Sequence, residues 1–159
     1  GIEGVVGRVI ARPTTGRQTL RLDIGTDSGV DIGQSVIDHT GLVGQVVDAG
    51  PDWTDVLLAR DPLHGAAVFI ENTEIHGTLR GTGNGLAIDH VIAGTEVPVG
   101  SVVLTSGAGD VHPRGLPVGT VAHVSRETGP MLRIDVETPP QGGLMTEVMV
   151  VTSQRDVSP

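Results

Sequence analysis

Two serines lie in sequence contexts that could support nucleophilic catalysis. Ser28 stands in the fragment TDSGV, and Ser106 begins the fragment SGAG. A chymotrypsin-type protease presents its histidine, aspartate and serine in that chain order. The first histidine of this chain, His39, follows Ser28, and no G-D-S-G-G turn surrounds Ser106. We interpret the TDSGV fragment as a turn, in which Asp and Ser side chains accept local backbone hydrogen bonds. A divergent or inactive trypsin-like serine hydrolase is retained as an alternative function.

The histidines do not form a recognisable metal-binding or catalytic motif. They are widely spaced, with no H-x-H or H-E-x-x-H pair: His39, His64, His76, His90, His112 and His123. A lone histidine beside a turn is more often solvated or a satisfied hydrogen-bond partner than a metal ligand. Asp89 and His90 are neighbours, but residues adjacent in a regular strand face opposite sides of the sheet. The sequence therefore predicts no catalytic, cofactor-binding or metal-binding residues and no cofactor.

Two residues are candidates for contacts with another protein. Trp53 lies in the turn GPDWTD, and tryptophan is enriched among residues that anchor interfaces. The same side chain could equally cap the open end of a barrel. Val111, in GDVHPRG, is expected at a loop tip, either as a contact or as loop packing. A cell-wall sugar-binding module is a further alternative, although such sites stack sugars on aromatic rings, and Trp53 is the one aromatic expected to be accessible.

Composition restricts both the core and the partners. Trp53 and Phe69 are the only aromatic residues, so burial must come from Val, Ile, Leu and Ala. The net charge is −9 and all ten basic residues are scattered arginines. Binding to a nucleic-acid backbone or an anionic membrane needs clustered positive charge, so this pattern argues against both. No apolar run approaches the roughly 20 residues that cross a bilayer, and no signal peptide is present at Gly1, so the sequence predicts a soluble region.

The elements that must position these residues are short strands. Glycine and proline interrupt the chain roughly every 8 to 12 residues, which is typical of an all-β sandwich or barrel. Residues 19–24 (TLRLDI) and 131–137 (MLRIDVE) alternate apolar and charged side chains, as strands buried on one side do. About twelve such runs are present, and no window sustains the apolar spacing of a helix.

An internal repeat indicates two domains. The unit VDIGQSVI at 30–37 corresponds to VPVGSVVL at 97–104, and GLVGQVV at 41–47 corresponds to GLPVGTVAHV at 115–124. The second copy carries an insertion of about eight residues, largely SGAGDVHP. Twelve strands in two halves predict two six-stranded antiparallel barrels, at 1–74 and 75–153, with a boundary near Asn72 to Gly77. A C-terminal strand could return to complete the first barrel, and residues 154–159 are expected to be a disordered tail.

Glycines of the repeat and of the 105–121 segment are predicted to be structural. A glycine between strand residues marks a bulge, a bend or a close backbone approach. The residues to which we assign this role are Gly33, Gly44, Gly100, Gly107, Gly109, Gly115 and Gly119.

Four linked motifs carry a family resemblance. They are GTDSGVDIGQSVI (25–37), GLVGQV (41–46), LLARDP (57–62) and TSGAGDVHPRGLPVGTV (105–121). In this order the chain resembles, from about Val5 to Thr152, the extracytoplasmic β region of the rod-shape-determining MreC family. The resemblance implies two small six-stranded barrels of trypsin-like architecture without a catalytic triad. Trp53 departs from it, because a small polar residue would be expected there.

The resemblance also implies a function. It suggests a noncatalytic scaffold of the bacterial cell-elongation (rod) complex, which maintains cell shape by binding and regulating peptidoglycan synthases. The implied partners are a class B penicillin-binding transpeptidase, MreD, MreB, RodA and RodZ. Self-association as a homodimer or larger assembly is expected as well. The implied location is extracytoplasmic, with an N-terminal transmembrane helix and a coiled coil preceding this region.

Overall fold

The computed structural model describes residues 2–12, 16–92, 96–126, 129–138 and 146–154. These residues form twelve β-strands and two short 3₁₀ turns, η1 (Thr26–Ser28) and η2 (Ala108–Asp110). The strands are β1 (Ile2–Ala11), β2 (Thr19–Leu22), β3 (Ser35–Asp38), β4 (Gly41–Ala49), β5 (Thr54–Leu58), β6 (Gly65–Ile70), β7 (His76–Gly81), β8 (Leu86–Ile92), β9 (Val102–Thr105), β10 (Pro117–Arg126), β11 (Met131–Glu137) and β12 (Glu147–Gln154).

The strands close into two six-stranded antiparallel barrels, which confirms the predicted fold class. The first barrel has the order β1-β12-β3-β4-β5-β2, and the second has the order β10-β11-β8-β7-β6-β9. Closure leaves neither sheet with an unpaired edge strand, which removes the usual template for nonspecific strand pairing.

Each barrel is filled by the inward side of its alternating strands. In β11, Leu132, Ile134 and Val136 are buried, as the sequence predicts. In β2 the alternation ends earlier than expected, because the strand stops at Leu22 and Ile24 is only half-buried. The hydrophobic cluster of the first barrel is aliphatic and consists of Leu20, Leu22, Val30, Val36, Val43, Val46, Val56, Val148 and Val150. Each such side chain contributes roughly 1.5 to 3 kcal/mol when fully buried, so many small contributions replace a few aromatic ones.

The division between the compact units differs from the expected boundary near residue 74. One unit consists of residues 1–58 and 141–159, and the other of residues 59–140. Strand β6 belongs to the second barrel because it pairs with β7 and β9. The C-terminal strand β12 lies in the first barrel, between β1 and β3. It ends at Gln154, and the remainder of the expected tail, 155–159, lies outside the described residues.

The two copies of the repeat form the same local structure. The amide of Gly33 donates to the carbonyl of Val46 at 2.9 Å, and the amide of Gly100 donates to that of Val121 at 2.8 Å. Both glycines have positive φ, 95° and 92°. They lie in turns that precede β3 and β9, not between strand residues as the sequence analysis expected. The sequence repeat therefore corresponds to a repeated turn and strand pair.

Candidate protein-binding surface

The segment inserted in the second repeat is the connection between β9 and β10, and it is tied to the barrel by Thr105. The Thr105 hydroxyl is buried, donates to the Pro113 carbonyl at 2.5 Å and accepts from the Leu116 amide at 2.9 Å. The Thr105 carbonyl accepts from the amide of Gly115 at 2.8 Å. One side chain thus holds both ends of the 113–116 turn in place.

The same connection presents Val111 to solvent. Val111 follows the η2 turn and is 41% exposed, whereas the next two residues, His112 and Pro113, are buried. Gly107 and Gly109 both have φ of 79°, a conformation that other residues adopt at a cost. The guanidinium of Arg114 lies 4.5 Å from the ring centre of Phe69, and its Nη1 donates to the Ser106 carbonyl at 3.3 Å. The sequence prediction of an exposed loop position for Val111 agrees with this geometry.

Beneath the loop, two histidines meet. His64, in the turn between β5 and β6, and His112 are 2% and 5% exposed. Their Nε2 atoms are 3.3 Å apart. Burial lowers the pKa of His64, and the negative charge of Asp61 opposes this shift only in part. Burial is also the larger cause of the lowered pKa of His112, which is about 4, and the charge of His64 is the smaller cause. Both rings are therefore neutral near pH 7, where one Nε2–H can donate to the other Nε2.

This pair was not expected from sequence. The spacing of 48 residues carries no signal, and a pairing can be recognised only once β6 and the β9–β10 connection are placed together. The remaining nitrogen, His64 Nδ1, has no hydrogen-bond partner within the part of the chain that the structure describes. His64 is thus buried and hydrogen-bonded through Nε2 alone, where a solvated or satisfied side chain is the more common arrangement for a histidine beside a turn.

Each buried histidine directly follows an exposed apolar residue. Leu63 precedes His64 and is 64% exposed, and Val111 precedes His112. Because the two imidazoles are in contact, Leu63 and Val111 each lie one residue away from the same buried contact. We call these two residues the apolar tip. Leu63 was not singled out from the sequence, because the exposure of a leucine in a turn is decided by the tertiary structure.

Trp53 is half-buried on the outer side of the first barrel. The guanidinium of Arg21 lies 4.5 Å from the centre of its ring. Arg21 also forms a two-point ion pair with Asp55, with Nε–Oδ1 and Nη2–Oδ2 distances of 2.8 and 3.0 Å. An added Cβ at Gly50 would lie 2.0 Å from the indole Nε1, so the ring edge packs directly on this backbone. Arg21 thus covers one face of the ring and closes that face to a stacked sugar.

The serines do not come together with a histidine. Ser28 ends the exposed η1 turn, and the Ser106 hydroxyl accepts from the Ala108 amide at 3.3 Å. Within the described residues neither hydroxyl is hydrogen-bonded to an imidazole. The interpretation of 27–29 as a turn agrees with the structure, where Gly29 adopts φ of 93°.

The expectation that Asp89 and His90 face opposite sides is wrong. The pairing of β8 with β11 shifts between Leu132 and Ile134, and His90 has φ of 67°, which marks a bulge. Ile88 and Val91 are buried on either side, and both bulge residues face outward. Arg80 Nε donates to the Asp89 carboxylate at 2.7 Å.

Glycines predicted to be structural fall into two groups. Those in turns have φ between 79° and 95° and are Gly33, Gly100, Gly107, Gly109 and Gly115. The other two lie within strands: a Cβ added at Gly44 would be 2.0 Å from the Leu57 oxygen, and one at Gly119 would be 2.4 Å from the Glu137 oxygen. These close approaches occur at corresponding positions of the two barrels.

The described ranges contain no group of three or more His, Cys, Asp or Glu side chains arranged to hold a metal ion. None of their helices has the length and apolar character required to span a bilayer.

Comparison with known proteins agrees with this architecture. In sequence, the chain is 37% identical over 109 residues to the cell shape-determining protein MreC of Escherichia coli, covering 67% of this chain and 30% of that protein. It is 32% identical over 114 residues to MreC of Haemophilus influenzae, covering 70% of this chain and 32% of the relative. The chain therefore spans about a third of the length of these relatives.

Solved structures give the same result. The crystal structure of MreC from Pseudomonas aeruginosa superimposes with a TM-score of 0.84 at 30% identity, covering 94% of this chain and 99% of that one. An MreC chain in a complex described as between penicillin-binding protein PBP2 and MreC from Helicobacter pylori has a TM-score of 0.72 at 15% identity, covering 96% and 100% of the two chains. The family model described as rod shape-determining protein MreC, barrel core, matches residues 5–152, and the chain belongs to this family.

Proposed function

We propose that this chain is a noncatalytic, extracytoplasmic scaffold region of the bacterial rod complex, and that it binds a class B penicillin-binding transpeptidase through the apolar tip. Membership of the MreC family supports the assembly. The Helicobacter pylori complex supports a penicillin-binding partner, because its MreC chain has this fold. The expected MreD, MreB, RodA and RodZ contacts are proposed on family membership alone, as is a membrane anchor preceding this region.

The observation that carries the surface assignment is the way in which Leu63 and Val111 are held. Both are exposed, at 64% and 41%, yet each is followed by a buried histidine of the 3.3 Å pair. An apolar contact on an ordered support loses little conformational entropy on binding, which favours affinity. Binding would regulate the transpeptidase if one of its conformations made better contacts with this surface than the others.

Calorimetry with the soluble region of the transpeptidase from the same organism tests the proposal. We expect saturable binding, weakened at least about tenfold by Val111→Glu or Leu63→Glu, since a charge placed in an apolar contact is desolvated without a partner. Val99→Glu is the matched control, because Val99 is also an exposed valine of the second unit, at 68%. Trp53→Ala tests whether Trp53, the other residue predicted to contact a partner, contributes to binding of the transpeptidase.

The outcomes separate the partner from the surface. Absence of binding at high micromolar concentration would contradict a transpeptidase contact by this region. Binding that is weakened equally by all three glutamate variants would contradict the apolar tip. Loss of binding with Trp53→Ala alone would move the interface to the first barrel.

We also propose self-association of this region. The outer side of β1 carries a row of exposed aliphatic residues, Ile2, Val6 and Ile10, at 41%, 61% and 58% exposure. Such a row can be covered by a second copy. Sedimentation velocity up to millimolar concentration should show a dimer or larger species, and a monomer throughout would contradict this part of the proposal.

A further inference from the structure

Strands β12 and β6 occupy equivalent positions in the first and second barrels, although they lie at different places in the chain order of their barrels. In the first barrel β12 pairs with β1 and β3, and in the second barrel β6 pairs with β7 and β9. Strands β3 and β9 belong to the corresponding repeat units. Val36 of β3 pairs with Gly44 of β4, and Val103 of β9 pairs with Gly119 of β10. The closed order of the first barrel thus maps onto that of the second with β12 in the position of β6.

The match extends to the register. Val148 lies opposite Gly7, and Met149 lies opposite Val6. In the second barrel Val68 lies opposite Gly77, and Phe69 lies opposite His76. On the other side, Met149 pairs with Ile37, and Phe69 pairs with Leu104. The residues that point inward are also alike: Val148 and Val150 are 2% and 0% exposed, and Val68 and Ile70 are both 1% exposed.

Along the chain, five strands are followed by β6, and five more strands are followed by β12. We call β6 and β12 the closing strands, because each completes one of the barrels. The first closing strand, β6, lies in the second barrel, and the second, β12, lies in the first barrel. The closing strand of the first barrel is therefore separated from the other five strands by the whole of residues 59–140. No hairpin turn binds it to a neighbour, in contrast to β6, which is followed directly by β7.

We propose that β12 is an exchangeable strand, and that two copies of this chain associate by each inserting β12 between β1 and β3 of the other. A strand donated by a second copy would make the same backbone hydrogen bonds and would bury the same Val148 and Val150, so exchange loses no native contact of the barrel. Without β12 the first barrel has two open edges, which are templates for strand addition. The proposal rests on the proposed self-association and adds strand exchange to the contact through the outer side of β1.

Exchange can be detected with cysteines placed on paired positions, because the chain has no native cysteine. Val6 and Met149 are direct cross-strand partners, and Val6 faces solvent. Cross-strand partners have Cα separations of roughly 4.5 to 5.5 Å, which a disulfide can span. One chain carrying Val6→Cys is mixed with another carrying Met149→Cys, either as folded proteins or by refolding them together from denaturant, and then oxidised.

The control is the corresponding pair in the second barrel, Phe69→Cys on one chain and His76→Cys on another. Because β6 and β7 form a hairpin, their contact should stay within one chain. We expect the disulfide-linked heterodimer on a nonreducing gel to be at least about tenfold more abundant for the β1–β12 pair than for the control. A chain carrying both Val6→Cys and Met149→Cys, oxidised while dilute and monomeric, should form an internal disulfide and should not exchange β12 until it is reduced.

Three results are distinguishable. Heterodimer formation confined to the β1–β12 pair supports strand exchange. Dimers in sedimentation with no more heterodimer than the control pair would overturn exchange while leaving self-association in place. Monomers throughout, with no heterodisulfide in either mixture, would overturn both.

Discussion

The Nε2 atoms of His64 and His112 lie 3.3 Å apart, and both residues are buried in the unit formed by residues 59–140. Two protonated imidazoles would each present a hydrogen-bond donor to the other and place two positive charges in a buried site. The contact therefore requires at least one neutral ring. The histidine contact next to the apolar tip should therefore depend on pH.

The stability of the protein should fall in mild acid because of this pair. Both histidines have lowered pKa values in the folded state, that of His112 being about 4. Between pH 6.5, near the ordinary pKa of histidine, and about pH 4, these two histidines bind more protons in the unfolded chain than in the folded protein. Their contribution to the free energy of unfolding is therefore constant above this pH range and decreases as the pH falls through it. Urea denaturation should show that the free energy of unfolding falls, because of these histidines, by an amount on the order of 2 kcal/mol between pH 7.5 and 4.5.

Carboxylates also titrate at the acidic end, so a variant comparison isolates the pair. In His64→Gln/His112→Gln the amides cannot take up the proton, and the variant should lose less stability than the wild type over the same interval. His39→Gln changes an exposed histidine and should behave as the wild type does. Equal pH dependence of the wild type and the double variant would show that the pair does not control acid stability.

Thr105→Val should destabilise the second barrel by about 1 to 3 kcal/mol. Valine preserves the shape of the side chain but leaves the Pro113 carbonyl and the Leu116 amide without the hydroxyl that joins them. Thr105→Ser keeps the hydroxyl and serves as the control. Chemical denaturation measures both variants, and a valine variant as stable as the serine variant would mean that water replaces the hydroxyl.

Gly119→Ala should destabilise the second barrel by at least about 2 kcal/mol, because the added methyl group must displace backbone. An alanine Cβ there would stand 2.4 Å from the Glu137 oxygen. Gly65→Ala, also in a strand of the second barrel, places its Cβ at an ordinary 3.7 Å from the Leu79 oxygen. Thermal unfolding should distinguish the two substitutions clearly. Equal melting temperatures would indicate that β10 moves away from β11 without cost.

Arg21→Ala should change the fluorescence of Trp53, the only tryptophan of the chain. The guanidinium that covers one face of the ring would be lost, so acrylamide quenching should increase and the emission should move to longer wavelength. The hydrogen bond and the charge of Asp55 raise the pKa of Arg21, so the guanidinium stays charged. Arg8→Ala, elsewhere on the first barrel, should leave the emission unchanged, and quenching that is the same in both variants would contradict the stacked arrangement.

Predictions based on local patterns were accurate where the pattern alone decides the structure. The alternation in 131–137 placed Leu132, Ile134 and Val136 in the core. The glycines of the repeat, Gly33 and Gly100, lie instead in turns and not between strand residues. Predictions failed where a distant strand intervenes. A bulge against β11 turned both Asp89 and His90 outward, and the pairing of β6 with β7 and β9 moved the boundary to Leu58.

The sequence by itself determined that this chain forms short antiparallel strands, that they close in two halves with aliphatic cores, and that it resembles one family. These properties follow from period-two alternation, turn residues and repeated motifs, all of which are local. Only the tertiary structure decided which strand closes each barrel, and that His64 and His112, which follow Leu63 and Val111 in the chain, are in contact. Closing strands are chosen by the register of hydrogen bonds between residues far apart in the chain, and an aliphatic strand such as β6 or β12 fits either barrel by its own pattern.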